Sequence, residues 1–135
     1  MTAFRTSRWS WTRTALRVIA GLQAILVLTQ AALAGQFLSG NGTARDMHRE
    51  LGTEVITWVA FVALVLAVLA WRPGRYSAWP TAATALAFGA VVLQLGYGFQ
   101  GRVDVHIPLG VAIFAIYLAL CVALPRPREP KGGVS

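Results

Sequence analysis

Apolar residues along the chain fall into four long runs, separated by short polar breaks. The runs cover residues 14–38, 47–71, 78–99 and 105–124. A helix of about 20 residues crosses the hydrocarbon core of a bilayer, and each run reaches that length. Arg17 and Glu54 lie inside the first two runs, close enough to a boundary to stay hydrated. The pattern predicts an all-α membrane protein with four transmembrane helices.

The breaks between the runs are short and contain turn-forming residues. Residues 39–42 read Ser-Gly-Asn-Gly and end the first run, and residues 73–74 read Pro-Gly. Thr43 and Asp46 have the spacing of a capping box for the second helix, and Pro80 suits the first turn of the third. Short loops join antiparallel neighbours. We therefore expect an up-down-up-down bundle with the second and fourth helices on one diagonal.

The composition excludes an ordinary soluble domain. Hydrophobic residues make up 56% of the chain and charged residues 13%, with a mean hydropathy of +0.60. We expect one transmembrane domain over residues 1–124 and a disordered tail over residues 125–135, which is rich in proline, glycine and charge. The first run is longer than the core of a signal peptide, so we expect it to remain as a helix.

The net charge of +7 follows membrane topology. One side of the predicted bundle carries a large basic excess: Arg5, Arg8, Arg13, Arg17, Arg72, Arg75, Arg126, Arg128 and Lys131 against Glu129. On the other side, Arg45, Arg49 and Arg102 are balanced by Asp46, Glu50 and Asp104. Positive residues favour the cytoplasmic side of a membrane, so we expect both termini in the cytoplasm. The arginines are not gathered among aromatic residues on one face, and we expect no nucleic-acid partner.

One seven-residue pattern occurs twice and contains both histidines of the chain. Its copies are Asp46-x-His48-x-x-Leu51-Gly52 and Asp104-x-His106-x-x-Leu109-Gly110. Each copy stands at the start of an apolar run, and the sequence around Gln30 is loosely similar to that around Gln94. The repetition predicts an internal duplication of a helical hairpin about an axis along the membrane normal. Such an axis would bring His48 and His106 face to face.

Two facing neutral imidazoles are the axial ligands that a six-coordinate haem iron requires. Residues four apart share a helix face, so Gly52 and Gly110 would leave room for the porphyrin beside His48 and His106. Both histidines are expected in the first turn of their helices, where the helix dipole favours the neutral ring. Cys121 is the single cysteine, which excludes covalent haem attachment through a C-x-x-C-H motif. The pattern therefore indicates a non-covalent haem b.

Charged residues near the motif have candidate roles in the same site. Arg45, Arg49 and Arg102 could meet the haem propionates. Asp46 and Asp104 could cap the helices or orient the imidazoles through their second nitrogen.

Proline at position 108 predicts an asymmetry between the two halves. Because Pro108 needs a free first turn, we expect His106 to lie just outside its helix and to be more exposed than His48.

Other interpretations of these residues stay open. A histidine at a membrane boundary is often only a polar residue at headgroup level, and the pair could also serve a quinone or a metal ion. The chain could be a cofactor-free subunit or assembly factor of a larger membrane or respiratory complex, packing through its small residues. It could also be a small transporter with Glu54 as its coupling site, although Glu54 could instead pair with Arg49 or Arg102.

The pair His48-Arg49, together with His106, resembles one four-helix half of haem A synthase. In that family the second and fourth helices carry haem-ligating histidines near the outer surface. The resemblance covers the four-helix span and implies a haem-binding bundle. The chain has one half instead of two and lacks the outer-loop cysteine pair of many members, so the resemblance does not imply the oxygenase reaction. The chain is also similar to small, uncharacterised four-helix bacterial integral membrane proteins, which implies a fold only.

Together with the resemblance, these observations predict a bundle in a bacterial inner membrane that holds one haem b near the outer face and serves in electron transfer or haem handling. With both axial positions filled, oxygen chemistry is disfavoured, and we expect no enzymatic activity.

Overall fold

The computed structural model describes residues 3–71 and 77–124, with side chains from residue 11 onward. Five α-helices and one π-helical segment account for nearly all of this part: α1 (Ala3–Leu38), α2 (Gly42–Glu50), the π segment (Leu51–Ile56), α3 (Thr57–Ala70), α4 (Trp79–Phe99) and α5 (Val103–Ala123). The turn predicted at residues 73–74 and the tail at 125–135 lie outside the described residues.

The helices form four spans that are long and apolar enough to cross a membrane. Because α2, the π segment and α3 follow one another without a break, they make a single span, Gly42–Ala70. The other three spans are Trp11–Leu38, Trp79–Phe99 and Val103–Ala123. The prediction of an all-α, four-helix bundle is confirmed. The second span begins five residues before its predicted start at residue 47.

Each helix of the bundle packs against two neighbours. In the described residues, α1 and α4 each contact both α3 and α5, whereas α1 does not contact α4 and α3 does not contact α5. The second and fourth spans therefore lie on one diagonal, as the short loops predicted.

Small residues fill much of the centre of the bundle. Ala20, Ala60, Ala63 and Ala87 are fully buried, next to the larger side chain of Tyr117. Large apolar side chains are exposed on the outside of the helices, among them Trp58, Leu93 and Val111. Alanine lets helices approach closely, and an apolar exterior suits contact with lipid chains.

Asn41 is the residue that begins the second span. Its side-chain oxygen accepts a hydrogen bond from the Ala44 amide at 3.1 Å, and the preceding Gly40 has φ of 95°, which permits the turn out of α1. The capping box predicted at Thr43 is wrong, because Thr43 already lies within α2. Pro80 lies in the first turn of α4, as expected.

The π segment in the second span is held by two glutamines of α1. The Gln30 side-chain amide donates to the carbonyl oxygen of His48 at 2.7 Å, just before the segment. The Gln23 amide donates to the carbonyl oxygen of Ile56 at 3.0 Å, at its last residue. Within the second span, the Thr57 hydroxyl donates to the Gly52 carbonyl at 2.9 Å. Short π-helical segments occur often at functional sites, and this one begins three residues after His48.

Candidate functional site

His48 and His106 face each other at the end of the bundle where the α1–α2 and α4–α5 loops lie. We call this the histidine end. The two ring centres are 6.1 Å apart and the ring planes are inclined at 54°. Both side chains are partly buried. The diagonal arrangement of the second and fourth spans therefore brings together the two residues singled out by the repeated motif.

Each imidazole is oriented by a backbone carbonyl of the helix before it. His48 Nδ1 lies 3.0 Å from the Gln30 carbonyl oxygen, and His106 Nδ1 lies 2.9 Å from that of Gln94. A carbonyl oxygen can only accept a hydrogen bond, so Nδ1 of each ring carries the proton and donates it. In the neutral form of each ring, this arrangement leaves the lone pair on Nε2, which is the tautomer that ligates a metal.

The distance between the two ring centres is close to that of two imidazoles that share one metal ion through Nε2. Metal–imidazole bonds are about 2 Å long, so two such bonds plus the distance from each nitrogen to its ring centre amount to roughly 6 Å. Among the described residues, no group of three or more His, Cys, Asp or Glu side chains could hold a metal ion. The donor set therefore fits a metal that brings its remaining ligands with it, as a porphyrin-bound iron does.

A cavity of about 710 Å³ adjoins the two histidines. Its wall includes Phe37, Leu95 and Phe99 as apolar side chains, and the two histidines with Gln30 as polar ones. Pockets for cofactors and drug-sized ligands commonly measure roughly 300–1,000 Å³ and combine apolar walls with a few polar groups. The cavity thus has the size and chemical character of a cofactor site.

The two glycines of the motif lie against glutamine side chains. A Cβ atom at Gly52 would lie 2.8 Å from Gln30 Nε2, and one at Gly110 would lie 3.0 Å from Gln94 Nε2. Gly52 also lines the cavity, whereas Gly110 is not part of the cavity wall. Both glycines therefore make room for the residue whose carbonyl orients the histidine.

Gly98 is a site residue that sequence analysis missed. It lies one turn beyond Gln94, and a Cβ atom there would be 3.1 Å from Cε1 and Nδ1 of His106. The absence of a side chain lets the His106 ring reach the Gln94 carbonyl. In the sequence, Gly98 is recognisable only as a glycine four residues after Gln94. Its role in the site is visible only from its contact with His106.

The three arginines predicted for the site divide into two groups. Arg45 stacks over the ring of Phe37 at 5.7 Å, Arg49 stacks over Phe99 at 5.5 Å, and both line the cavity.

Arg102 is outside the cavity wall and binds the Asp104 carboxylate through two hydrogen bonds of 3.0 Å. This carboxylate raises the pKa of the Arg102 guanidinium. The charge of Arg102 is therefore compensated locally, whereas Arg45 and Arg49 present theirs to the cavity.

No protein-family model, curated protein or solved structure matches the chain.

Two expectations for the histidines are corrected by the helix boundaries. His106 lies inside α5, which begins at Val103, and its amide donates to the Arg102 carbonyl at 2.9 Å. The prediction that Pro108 leaves His106 outside the helix is wrong, because α5 begins early enough to place Pro108 in its second turn. His48 is the seventh residue of α2, so it is not in a first turn and the helix-dipole argument applies to His106 alone.

The acidic residues take positions other than those proposed for them. Asp104 binds Arg102, and Asp46 lines the cavity. The orientation of the imidazoles falls to the glutamine carbonyls instead. Glu54 is exposed, and among the described residues it forms no ion pair with Arg49 or Arg102.

Proposed function

We propose that this chain is a membrane cytochrome that binds one haem b non-covalently between His48 and His106. The observation that carries the proposal is the pair of imidazoles, 6.1 Å apart and each held through Nδ1 by a backbone carbonyl. Both rings offer a lone pair, and two protein ligands suffice when a macrocycle supplies the rest. When bound, the haem would supply a one-electron redox centre.

The other residues of the cavity have roles that follow from their chemistry. Arg45 and Arg49, held on aromatic rings, would bind the propionate carboxylates through charge-assisted hydrogen bonds. Gly52 and Gly98 would keep the walls beside the two histidines free of side chains. Gly110 leaves space for the Gln94 side chain, and the Gln94 carbonyl orients His106. Gly110 would therefore support the position of His106 indirectly.

The function most consistent with this arrangement is electron transfer or haem handling, and not oxygen activation. His48 and His106 would both hold the iron through Nε2, and an iron with two imidazole ligands would supply one-electron transfer and not oxygen binding. The rings are already oriented by hydrogen bonds to rigid helices, so a change of redox state would require little movement of the ligands.

We also propose the orientation and origin of the bundle. The excess of arginine beside both termini supports a cytoplasmic location for them in a bacterial inner membrane, with the histidine end outside. The matching contacts of His48 with Gln30 and of His106 with Gln94 support duplication of an ancestral hairpin.

The direct test is the absorption spectrum of the full chain, produced in cells supplied with haem and purified in mild detergent. We expect one haem per chain and a reducible, low-spin spectrum. Folded protein that remains colourless would overturn the proposal.

Substitution of Arg49 by glutamine is expected to weaken haem retention. Because a hydrogen bond to a charged group contributes about 1.5–3 kcal/mol, we expect the haem dissociation constant to rise about tenfold or more. Arg102→Gln is the matched control, since Arg102 lies outside the cavity wall and binds Asp104. Haem transfer to an apo-acceptor protein measures the difference. Equal effects of the two substitutions would contradict the assigned role of Arg49.

A further inference from the structure

Three buried polar atoms in the described residues lack a hydrogen-bond partner, and all belong to α1 or α5. They are Oε1 of Gln23, Oε1 of Gln30 and the hydroxyl oxygen of Tyr117. Gln23 and Tyr117 are both 0% exposed. A buried polar group without a partner costs roughly 1–3 kcal/mol, which is why such groups in membrane and soluble proteins commonly bind internal water.

The two glutamines already use their amide groups, so their oxygens point to a separate ligand. Gln23 Nε2 donates to the Ile56 carbonyl and Gln30 Nε2 donates to the His48 carbonyl. Exchanging oxygen and nitrogen in either side chain would place two acceptors against each other. Each Oε1 is therefore an acceptor that requires a donor from elsewhere.

The packing of α1 on α5 places Tyr117 between the levels of the two glutamines. A Cβ atom at Gly21 would lie 3.2 Å from Cys121 Sγ, which fixes the register of these antiparallel helices. Tyr117 lies one helical turn from Cys121 toward the histidine end. It is therefore level with residues 24–25 of α1. Helical side chains lean toward the N-terminus of their helix, so the Tyr117 ring extends toward the histidine end and the level of Gln30.

The spacing of the three groups suits a short column of water. Gln23 and Gln30 are two turns apart on one face of α1, about 10 Å along the axis. Tyr117 supplies a hydroxyl that can both donate and accept between them. Gln30, which is the closest of the three groups to the histidine end, also lines the cavity there.

We propose that internal water molecules are bound in the core of the bundle, where α1 meets both α5 and the second span, by the Tyr117 hydroxyl and by the amide oxygens of Gln23 and Gln30. The waters extend the polar part of the histidine cavity into the core, toward the end of the bundle that carries both termini. This site does not depend on a bound haem.

The test is the sign of the stability change in Tyr117→Phe, measured by equilibrium unfolding of the full chain in mixed micelles. A hydroxyl that binds water stabilises the fold, so its removal should raise the unfolding equilibrium constant, by about tenfold. A hydroxyl buried without any partner destabilises the fold, and its removal should lower that constant. An unchanged or lowered constant would overturn the proposal. Tyr97→Phe, which removes a hydroxyl from a partly exposed tyrosine, is the control and should have little effect.

A second measurement examines the waters themselves. A high-resolution crystal structure of the apo protein should show ordered water within hydrogen-bond distance of the Tyr117 hydroxyl and of at least one of the two amide oxygens. Direct packing of all three atoms against apolar groups, with no water density, would refute the site even if the stability change had the expected sign.

Discussion

Replacing either His48 or His106 by alanine is expected to abolish the low-spin haem spectrum of the purified protein. The two rings make equivalent hydrogen bonds to the carbonyls of Gln30 and Gln94, so neither histidine is expected to be dispensable. Loss of one axial nitrogen leaves a five-coordinate, high-spin iron or no bound haem at all. The measurement is the reduced-minus-oxidised absorption spectrum, with haem content determined on the same sample.

Two controls separate loss of a ligand from loss of the fold. Free imidazole added to His106→Ala should restore the low-spin spectrum if haem remains in the cavity, because it replaces the missing nitrogen. Glu54→Gln should leave the spectrum unchanged, since Glu54 is exposed and outside the cavity wall. A full low-spin spectrum in either histidine variant would show that the iron is bound elsewhere.

A methyl group added at Gly52 is expected to destabilise the protein and to loosen its haem. The Cβ atom of Gly52→Ala would lie 2.8 Å from Gln30 Nε2, which donates to the His48 carbonyl. The Gln30 side chain has to move, and it loses this hydrogen bond at a buried position. Measured in mixed micelles, the free energy of unfolding of Gly52→Ala is expected to be about 1–3 kcal/mol lower than that of a Gly→Ala variant without this contact, and loss of haem is expected to be faster.

The matched control for this prediction is Gly89→Ala. A Cβ atom at Gly89 would have no neighbour within 4 Å, and alanine is favoured over glycine inside a helix by roughly 0.8–1.0 kcal/mol. Gly89→Ala should therefore be neutral or stabilising. A loss of stability at Gly89 as large as that at Gly52 would mean that the contact with Gln30 is not the cause.

The architecture of the bundle could be predicted from the sequence because it depends on strong, local signals. Apolar runs of sufficient length define the spans, and short loops leave antiparallel neighbours as the arrangement. The diagonal placement of α3 and α5 follows from these two facts alone. The proximity of His48 and His106 follows in turn from their equal positions in the second and fourth apolar runs, each as the second residue of its run.

The finer parts of the site could not be predicted, because they depend on backbone atoms and on contacts between helices. The partners of the two imidazoles are carbonyl oxygens of Gln30 and Gln94, and every residue type has a carbonyl. The role of Gly98 is visible only once His106 is placed beside it.

The residue that caps α2 could not be predicted either: it is Asn41 and not Thr43. Asn41 and Thr43 are both residue types that cap helices, and the cap is Asn41, whose side chain accepts from the Ala44 amide.

Electron paramagnetic resonance of the oxidised wild-type protein tests the pairing of His48 and His106 most directly. If both imidazoles ligate one iron, the ferric protein will give the low-spin signal of bis-imidazole haem, and each single alanine variant will lack that signal. A high-spin signal in the folded wild-type protein, or a low-spin signal that survives in the double alanine variant, would contradict ligation by this pair.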